Sequence, residues 1–132
     1  MAIIKPYRLY KDIDLAFTAN PQTKDINKKL DINAVKQSLK TLLFTQFGER
    51  LFQPDIGSPL HGLLFEPVDP ITTEAIRDAI ENTIQNNEPR VKISKIDVVP
   101  KYDQNAYEVT LFYTVVGIPL PVSFSTILQR LR

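Results

Sequence analysis

The sequence of 132 residues contains no cysteine and a single histidine. Without cysteine the chain can form neither disulfide bonds nor thiolate metal sites. The one histidine, His61, lies in an apolar, turn-rich stretch, and we interpret it as a structural or surface residue. One histidine and no cysteine cannot form the spaced ligand pairs of a typical metal site. We therefore expect neither a metal nor another cofactor.

Glycine is also scarce, with four residues, and neither a Gly-x-Gly nor a Gly-Lys-Ser/Thr sequence occurs. The sequence therefore lacks a glycine-rich phosphate-binding loop. No window approaches the ~20 apolar residues of a membrane span, and the first residues lack the apolar run of a signal peptide before Arg8 and Lys11. We therefore expect a soluble protein that has no membrane partner.

The chain has no excess of charge of one sign, because 16 basic residues stand against 15 acidic ones. The resulting net charge of +1 is far from the basic surplus that binding to a phosphate backbone demands, so we expect no nucleic-acid partner. A hydrophobic fraction of 43% is typical of a folded globular chain. The length indicates a single domain over residues 1–132.

Residues 1–30 differ from the remainder of the chain. Short apolar groups at residues 7–10 and 13–17 precede a turn-forming cluster at residues 20–25. We predict an extended N-terminal arm over residues 1–30, ahead of a core over residues 31–132. The alternative is an ordinary edge strand packed on the domain, because β-branched and aromatic residues suit either state.

The first helical pattern begins near residue 33. Its apolar residues recur on one face at the spacing i, i+4, i+7 and i+8, namely Val35, Leu39, Leu42 and Leu43. Asp31 or Asn33 can accept a hydrogen bond from the first free amides, and Gly48 provides a C-terminal stop. We therefore predict a helix over residues 33–47.

Seven glycine and proline residues interrupt residues 48–70, which are predicted to be rich in loops. A second helix follows, capped by Asp69 or Thr72. It closes before Pro89, because a residue that precedes proline is pushed out of the helical region. Its positions with 3.6-residue period are Ala75, Ile76, Ala79, Ile80, Thr83 and Ile84.

The last third of the chain alternates with a period of two, which is typical of β-strands. Residues 107–115 form the clearest strand, preceded by a β-branched run over residues 91–99 that ends at Pro100. Residues 102–106 have the chemistry of a hairpin turn, and after a bend over residues 117–121 a third strand covers residues 122–127. The fold class is therefore α+β, with two amphipathic helices packed on a small antiparallel β-sheet.

Enzymatic activity is not expected. Among 15 acidic residues some pair always meets the spacing for glycoside hydrolysis, so such a pair is a weak signal. The best candidate acid, Glu88, is followed by Pro89 and Arg90. The cation would hold Glu88 ionised instead of raising its pKa for general-acid catalysis.

Four segments occur together, in a fixed order before the terminal β region. They read AVKQSL at 34–39 with LL at 42–43, GERLFQPDIG at 48–57, LLFEP at 63–67 and NEPRV at 87–91. Together they resemble the small baseplate wedge proteins of contractile-tailed phages, a family historically labelled with a phage lysozyme name and found also in type VI secretion baseplates. Ile56 and Phe47 depart mildly from the family pattern.

The resemblance implies a sheath initiator, whose fold is similar to the C-terminal domain of the sheath subunit and offers the first sheath ring a template. It implies that the motif of Glu88, Pro89 and Arg90 contacts the helical bundle of the baseplate wedge. The expected partners are wedge proteins, tail sheath subunits and tube or hub proteins. The expected location is the virion tail baseplate, assembled in the host cytoplasm.

The residues themselves suit such contacts. Pro89 fixes the chain direction between helix and strand, so Glu88 and Arg90 lie at one rigid corner, where Arg can form a charge-assisted interface. The alternative is that Glu88 and Arg90 pair with groups inside the domain. The third strand lacks the charges that protect an exposed edge, so we predict strand addition by the sheath along Val122, Ser123, Phe124, Ser125, Thr126 and Ile127.

Other interpretations remain open at this point. The third strand could instead pack as a plain sheet edge under the N-terminal arm. The protein could be a peptidoglycan-degrading, lysozyme-like enzyme, the activity for which the family was once named. It could also be an adaptor domain unrelated to tails.

Overall fold

The structure, a computed structural model, describes residues 10–129 of the chain. Residues 1–9 of the predicted arm therefore lie outside the described part. The elements in chain order are β1 (Lys11–Ile13), β2 (Lys28–Leu30), α1 (Ile32–Phe44), α2 (Leu60–Leu63), α3 (Pro70–Asn87), β3 (Val91–Lys101), β4 (Ala106–Val115) and β5 (Ile118–Gln129). The predicted α+β class is confirmed. Within residues 10–129 no helix is long and apolar enough to cross a membrane.

The main sheet is an antiparallel meander in the order β3-β4-β5. β4 is its central strand, and its alternating pattern places one row of side chains in the core, as predicted. The turn between β3 and β4 is also as predicted, with Asn105 in the left-handed conformation that Asn tolerates better than most residues. The buried row on β4 consists of Tyr107, Val109, Leu111, Tyr113 and Val115.

Two predicted strand boundaries were wrong, and proline explains both. β3 continues past Pro100 to Lys101, because β3 lies at an edge of the sheet, where a residue without an N–H group is tolerated. β5 begins at Ile118, so most of the bend predicted over residues 117–121 belongs to the strand. β5 is the other edge, and a shift of register near Val115 accommodates its first residues.

The second predicted helix is α3, and both of its ends are confirmed. Asp69 caps it by accepting a hydrogen bond from the backbone N–H of Thr72 at 2.6 Å, and the helix ends at Asn87, two residues before Pro89. Its apolar face packs over the sheet, with Ile76, Ile80 and Ile84 almost fully buried. Val35, Leu39 and Leu43 of α1 complete the same core.

α1 ends at Phe44 and not at residue 47, so the predicted C-terminus was wrong. Thr45 is extended, and its carbonyl accepts the backbone N–H of Ser58 at 2.8 Å. The Ser58 hydroxyl also donates to the Leu43 carbonyl at 2.7 Å. This return of the loop satisfies the end of the helix, whereas Gly48 lies in the loop itself. At the other end Asp31 precedes the first turn, but its side chain makes no cap hydrogen bond.

A short helix within the predicted loop region was not foreseen. α2 covers four residues and inserts Leu60 into the core, where it is 2% exposed. The nearby prolines and glycines indicated irregular structure, and a single helical turn among them is too short to give a periodic signal. His61 on the same turn is exposed and packs edge-on against the ring of Phe65.

The described part of the N-terminal arm folds back on itself. β1 and β2 pair antiparallel, and neither strand joins the three-stranded sheet, in contrast to the edge-strand alternative. The arm lies against α1, where the side chain of Gln37 donates to the Ile13 carbonyl at 2.8 Å and accepts from the Leu15 N–H at 3.2 Å. The arm is therefore a hairpin docked on α1, and the Gln37 side chain binds the backbone of the arm.

Candidate functional site

The predicted corner lies where α3 gives way to β3. Glu88 is the C-cap residue of α3 and is 4% exposed. Both of its carboxylate oxygens accept from Arg90, Oε1 from Nε at 2.7 Å and Oε2 from Nη2 at 2.8 Å. Ser38 of α1 donates to Oε2 as well, at 2.8 Å. The carboxylate therefore ties the end of α3, the turn before β3 and α1 together.

The pKa of Glu88 reflects two opposing effects. Burial raises the pKa of this carboxyl, but the hydrogen bonds from Arg90 and Ser38, together with the charge of Arg90, outweigh burial and hold the pKa below its ordinary value. The same pairing raises the pKa of Arg90. A carboxyl in this state is ionised at neutral pH and is a poor general acid.

Part of the corner is open to a partner. Pro89 is exposed, and the side chain of Arg90 is 33% exposed while its guanidinium lies over the ring of Tyr10, 5.3 Å from the centroid. Tyr10 is itself anchored, because its hydroxyl donates to the Val116 carbonyl at 2.8 Å. Within residues 10–129, Nη1 of Arg90 makes no hydrogen bond, so this nitrogen is left over as a donor.

The structure thus contains the internal Glu88–Arg90 pair that the sequence left open as an alternative. The bidentate bond of Arg90 is formed with Glu88, so Glu88 is not available to a partner. A contact at this corner would be made by Pro89 and the outer side of Arg90, which Glu88 positions. Binding of the wedge at Glu88, Pro89 and Arg90 stays a prediction.

β5 is an edge strand of the sheet, and its predicted segment forms the middle of the strand. Phe124 points to the core and is 6% exposed, whereas Ser123, Ser125 and Ile127 lie on the outer face and are exposed. Val122 and Thr126 lie on the inner face and are partly buried. Strand addition along this edge stays a prediction.

The described residues hold no set of three or more His, Asp or Glu side chains that could bind a metal ion. Two clefts border the arm. One, of about 260 Å³, lies beside the corner and is lined by Asp12, Ser38, Arg50 and Glu88 among others. The other, of about 650 Å³, lies between the arm, α1 and Phe124 of β5.

Two features escaped the sequence prediction. Within the predicted loop region Leu51 and Phe52 are 83% and 99% exposed, and the sequence pattern did not distinguish these two apolar residues from buried ones. Lys36 and Lys40 of α1 lie together in the cleft beside β5. Their i, i+4 spacing was the available signal, because it places both on one side of a helix.

Comparison with known proteins identifies a family whose sequence model matches most of the described residues. The sequence model of the family described as baseplate wedge protein gp25 matches residues 31–119. The baseplate wedge protein gp25 of Enterobacteria phage T4 is 32% identical over 112 residues, which cover 85% of this chain and 84% of that protein.

Two solved structures share the fold. A Geobacter sulfurreducens protein provisionally named a tail lysozyme superposes with a TM-score of 0.68 at 19% identity, covering 74% of this chain and 89% of that one. A chain of the anti-feeding prophage baseplate superposes with a TM-score of 0.65 at 20% identity, covering 93% and 87%. At these identities the likeness shows the fold alone. The sequence match over residues 31–119 and the relative at 32% identity show that the chain belongs to the baseplate wedge protein gp25 family.

Proposed function

We propose that the chain is a non-enzymatic structural component of a contractile-tail baseplate, which joins the wedge and templates the first ring of the tail sheath. The observation that carries this proposal is the family match over residues 31–119, which spans α1, the corner and most of the main sheet. The protein would act in the tail baseplate of the particle, after assembly in the host cytoplasm. Tube or hub proteins are further candidate neighbours.

The corner supplies the contact with the wedge in this proposal. Pro89 and the outer side of Arg90 form a rigid, exposed surface, because Glu88, Ser38 and Tyr10 hold the guanidinium in one orientation. A preorganised guanidinium loses little freedom on binding and can donate from Nη1 to a carboxylate or to carbonyls at the end of a helix.

Substitution of Arg90 tests this contact. Arg90→Lys retains a cation beside Glu88 but loses the planar fork and the outward Nη1 donor, and we expect binding to purified wedge proteins to weaken by at least tenfold. Arg77→Lys is the matched control, because Arg77 forms only an exposed pair with Glu74 on α3. Equal affinities of the two variants, both folded, would place the wedge contact elsewhere.

The free edge of β5 supplies the contact with the sheath. Its first residues include Pro119 and Pro121, which have no N–H group, so the usable edge starts at Val122. Within residues 122–129 no lysine, charge or proline blocks pairing with another strand. Deletion of these residues would not test the contact, because Phe124 and Leu128 belong to the core.

Proline substitutions test the edge without deleting it. Neighbouring residues of a strand direct their N–H groups to opposite sides, so of Ser125→Pro and Thr126→Pro one removes a bond to β4 and the other an outward donor. The more stable of the two variants should join the baseplate but fail to start a sheath. Normal sheaths in electron micrographs of that variant would refute strand addition at β5.

The rival activity is peptidoglycan hydrolysis, which the name of the Geobacter neighbour raises. Its best candidate acid, Glu88, is buried and held ionised by Arg90. We expect purified protein to leave peptidoglycan intact. If the native protein were lytic and a folded Glu88→Gln variant were not, the protein would be a peptidoglycan hydrolase and the proposed non-enzymatic role would be wrong.

A further inference from the structure

The cleft beside β5 combines an apolar floor with a cationic rim. It measures about 650 Å³ and lies between the arm, α1 and the inner side of the β5 edge. Phe124 of β5 and the half-exposed Phe44 of α1 supply apolar surface. The charged residues that line it are three lysines and one acid, namely Lys29, Lys36, Lys40 and Asp14.

The acid is already engaged, whereas two of the lysines are not. The Asp14 carboxylate accepts hydrogen bonds from the Thr18 hydroxyl and the Ala16 N–H and lies 3.8 Å from Nζ of Lys29. Lys36 and Lys40 are exposed and form no ion pair with any residue in the range 10–129. Nζ of Lys36 lies over the Phe124 ring, 6.0 Å from its centroid. The rim therefore offers two cations that pair with no acid among residues 10–129.

If a partner strand were added to β5, every second side chain of that strand would point into this cleft. Because side chains alternate between the faces of a sheet, every second residue of the added strand continues the inner face, on which Phe124 lies. Two such residues are about 7 Å apart along a strand. Lys36 and Lys40, one turn apart on α1, are separated by roughly 6 Å. The two spacings agree closely enough for one strand to meet both lysines.

We infer that the β5 edge selects an extended partner segment in which acidic and apolar residues share the face directed at α1. An apolar side chain would pack on Phe124 and Phe44, and carboxylates two residues apart would pair with Lys36 and Lys40. This inference rests on the proposed strand addition and specifies which segments are accepted. The β5 strand of a second copy is a poor occupant, because residues 122–129 contain no acid.

Charge reversal provides the test, with the purified tail sheath subunit of the same particle as the probe and the full-length chain as its receptor. We expect Lys36→Glu combined with Lys40→Glu to weaken binding at least 30-fold, because two attractive contacts become repulsive. The native affinity should fall as salt rises, and that dependence should be much weaker in the double variant. Both lysines are exposed, so the variant should fold normally.

The control carries the same change of charge outside the cleft, as Lys24→Glu with Lys92→Glu, and should bind within threefold of the native chain. Restored binding after replacing two acids of the sheath segment with lysine would support the inference. If the proline variants of β5 abolish binding while charge reversal in the cleft leaves it unchanged, strand addition stands and the acidic selectivity is wrong. If the native chain does not bind the sheath subunit, both are wrong.

Discussion

At the scale of single residues, Gly57 is under the tightest steric constraint. Its φ is +154°, and a Cβ there would lie 2.7 Å from the carbonyl carbon of Gln46, a backbone atom that cannot swing aside. Gly57 thus permits the parallel bridge between Gln46 and Ser58 that ends α1. The loop that returns the chain from α1 to α2 depends on the absence of a side chain.

We therefore expect Gly57→Ala to lower the free energy of unfolding by about 1 to 3 kcal/mol, the usual cost of forcing extra atoms into a packed site. Gly62→Ala is the control, since a Cβ at Gly62 meets nothing within 4 Å, and its effect should stay within about 0.5 kcal/mol. Urea denaturation measures both. Equal midpoints for the two variants would show that Gly57 is not constrained as described.

Glu88 gives the domain a specific dependence on pH. Its pKa is lowered in the folded state, so its contribution to stability is complete above the ordinary pKa of about 4.5 and is lost as the pH falls toward the folded value. At pH 7 we expect Glu88→Gln to reduce the free energy of unfolding by about 1.5 to 3 kcal/mol.

The difference between native protein and Glu88→Gln should shrink as the pH falls below 4.5, because the unfolded chain protonates Glu88 there before the folded protein does, and this favours unfolding of the native protein. Comparing the two proteins at each pH cancels the contributions of Asp14 and Asp69, whose pKa values are also lowered. A difference that stays constant from neutral to acid pH would contradict the assigned pairing.

The hydroxyl of Tyr113 is buried and, within residues 10–129, has no hydrogen-bond partner. Because burial of an unpaired hydroxyl costs free energy, Tyr113→Phe should leave the protein as stable or slightly more stable. Tyr10→Phe is the contrasting variant, since it loses the 2.8 Å bond to the Val116 carbonyl and should cost about 1 kcal/mol. Tyr113→Phe should unfold at a higher temperature than Tyr10→Phe. The reverse order would contradict the assignment of an unpaired hydroxyl to Tyr113 and a hydrogen-bonded one to Tyr10.

At the scale of elements, the docked hairpin depends on Gln37 of α1. Replacing Gln37 with Ala removes both hydrogen bonds to the arm, at Ile13 and Leu15, without touching the core. We expect hydrogen exchange of residues 11–30 to accelerate about fivefold while that of α1 stays unchanged, because loss of about 1 kcal/mol should favour local opening of the arm. Unchanged exchange in the arm would mean that the hairpin is held by other contacts.

The sequence predicted those elements whose signals are local. α3 carries its cap, Asp69, and its terminator, Pro89, within the chain segment itself, and β4 alternates without interruption. The end of α1 was misplaced because it is set by Ser58, which binds Leu43 and Thr45 from a distant part of the chain. α2 is only four residues long, too short to produce a period.

The candidate sites also combine residues that are adjacent in sequence with residues that only the fold brings together. The Glu88–Arg90 corner was found because its three residues are adjacent, but only the fold revealed that Ser38 completes it from α1. The cleft beside β5 combines Lys36, Lys40 and Phe124 from elements far apart in sequence. No spacing within one segment indicates such a cleft.

At the scale of the whole molecule, the domain is a two-layer structure in which the helices cover one face of the sheet. The corner with Pro89 and Arg90 terminates α3, whereas β5 lies at the side of the sheet opposite β3, with no further strand beside it among residues 10–129. Two separate surfaces of this kind suit a subunit that bridges two different partners. A rigid core between them would hold those partners at a fixed distance.

The most direct test is an electron cryomicroscopy map of the assembled baseplate that contains this chain. The proposed function predicts wedge helices against Pro89 and Arg90, and an extended sheath strand along residues 122–127. Carboxylates of that strand should approach Lys36 and Lys40. A map in which the β5 edge faces solvent after the sheath has formed, or in which the chain is absent from the baseplate, would contradict it.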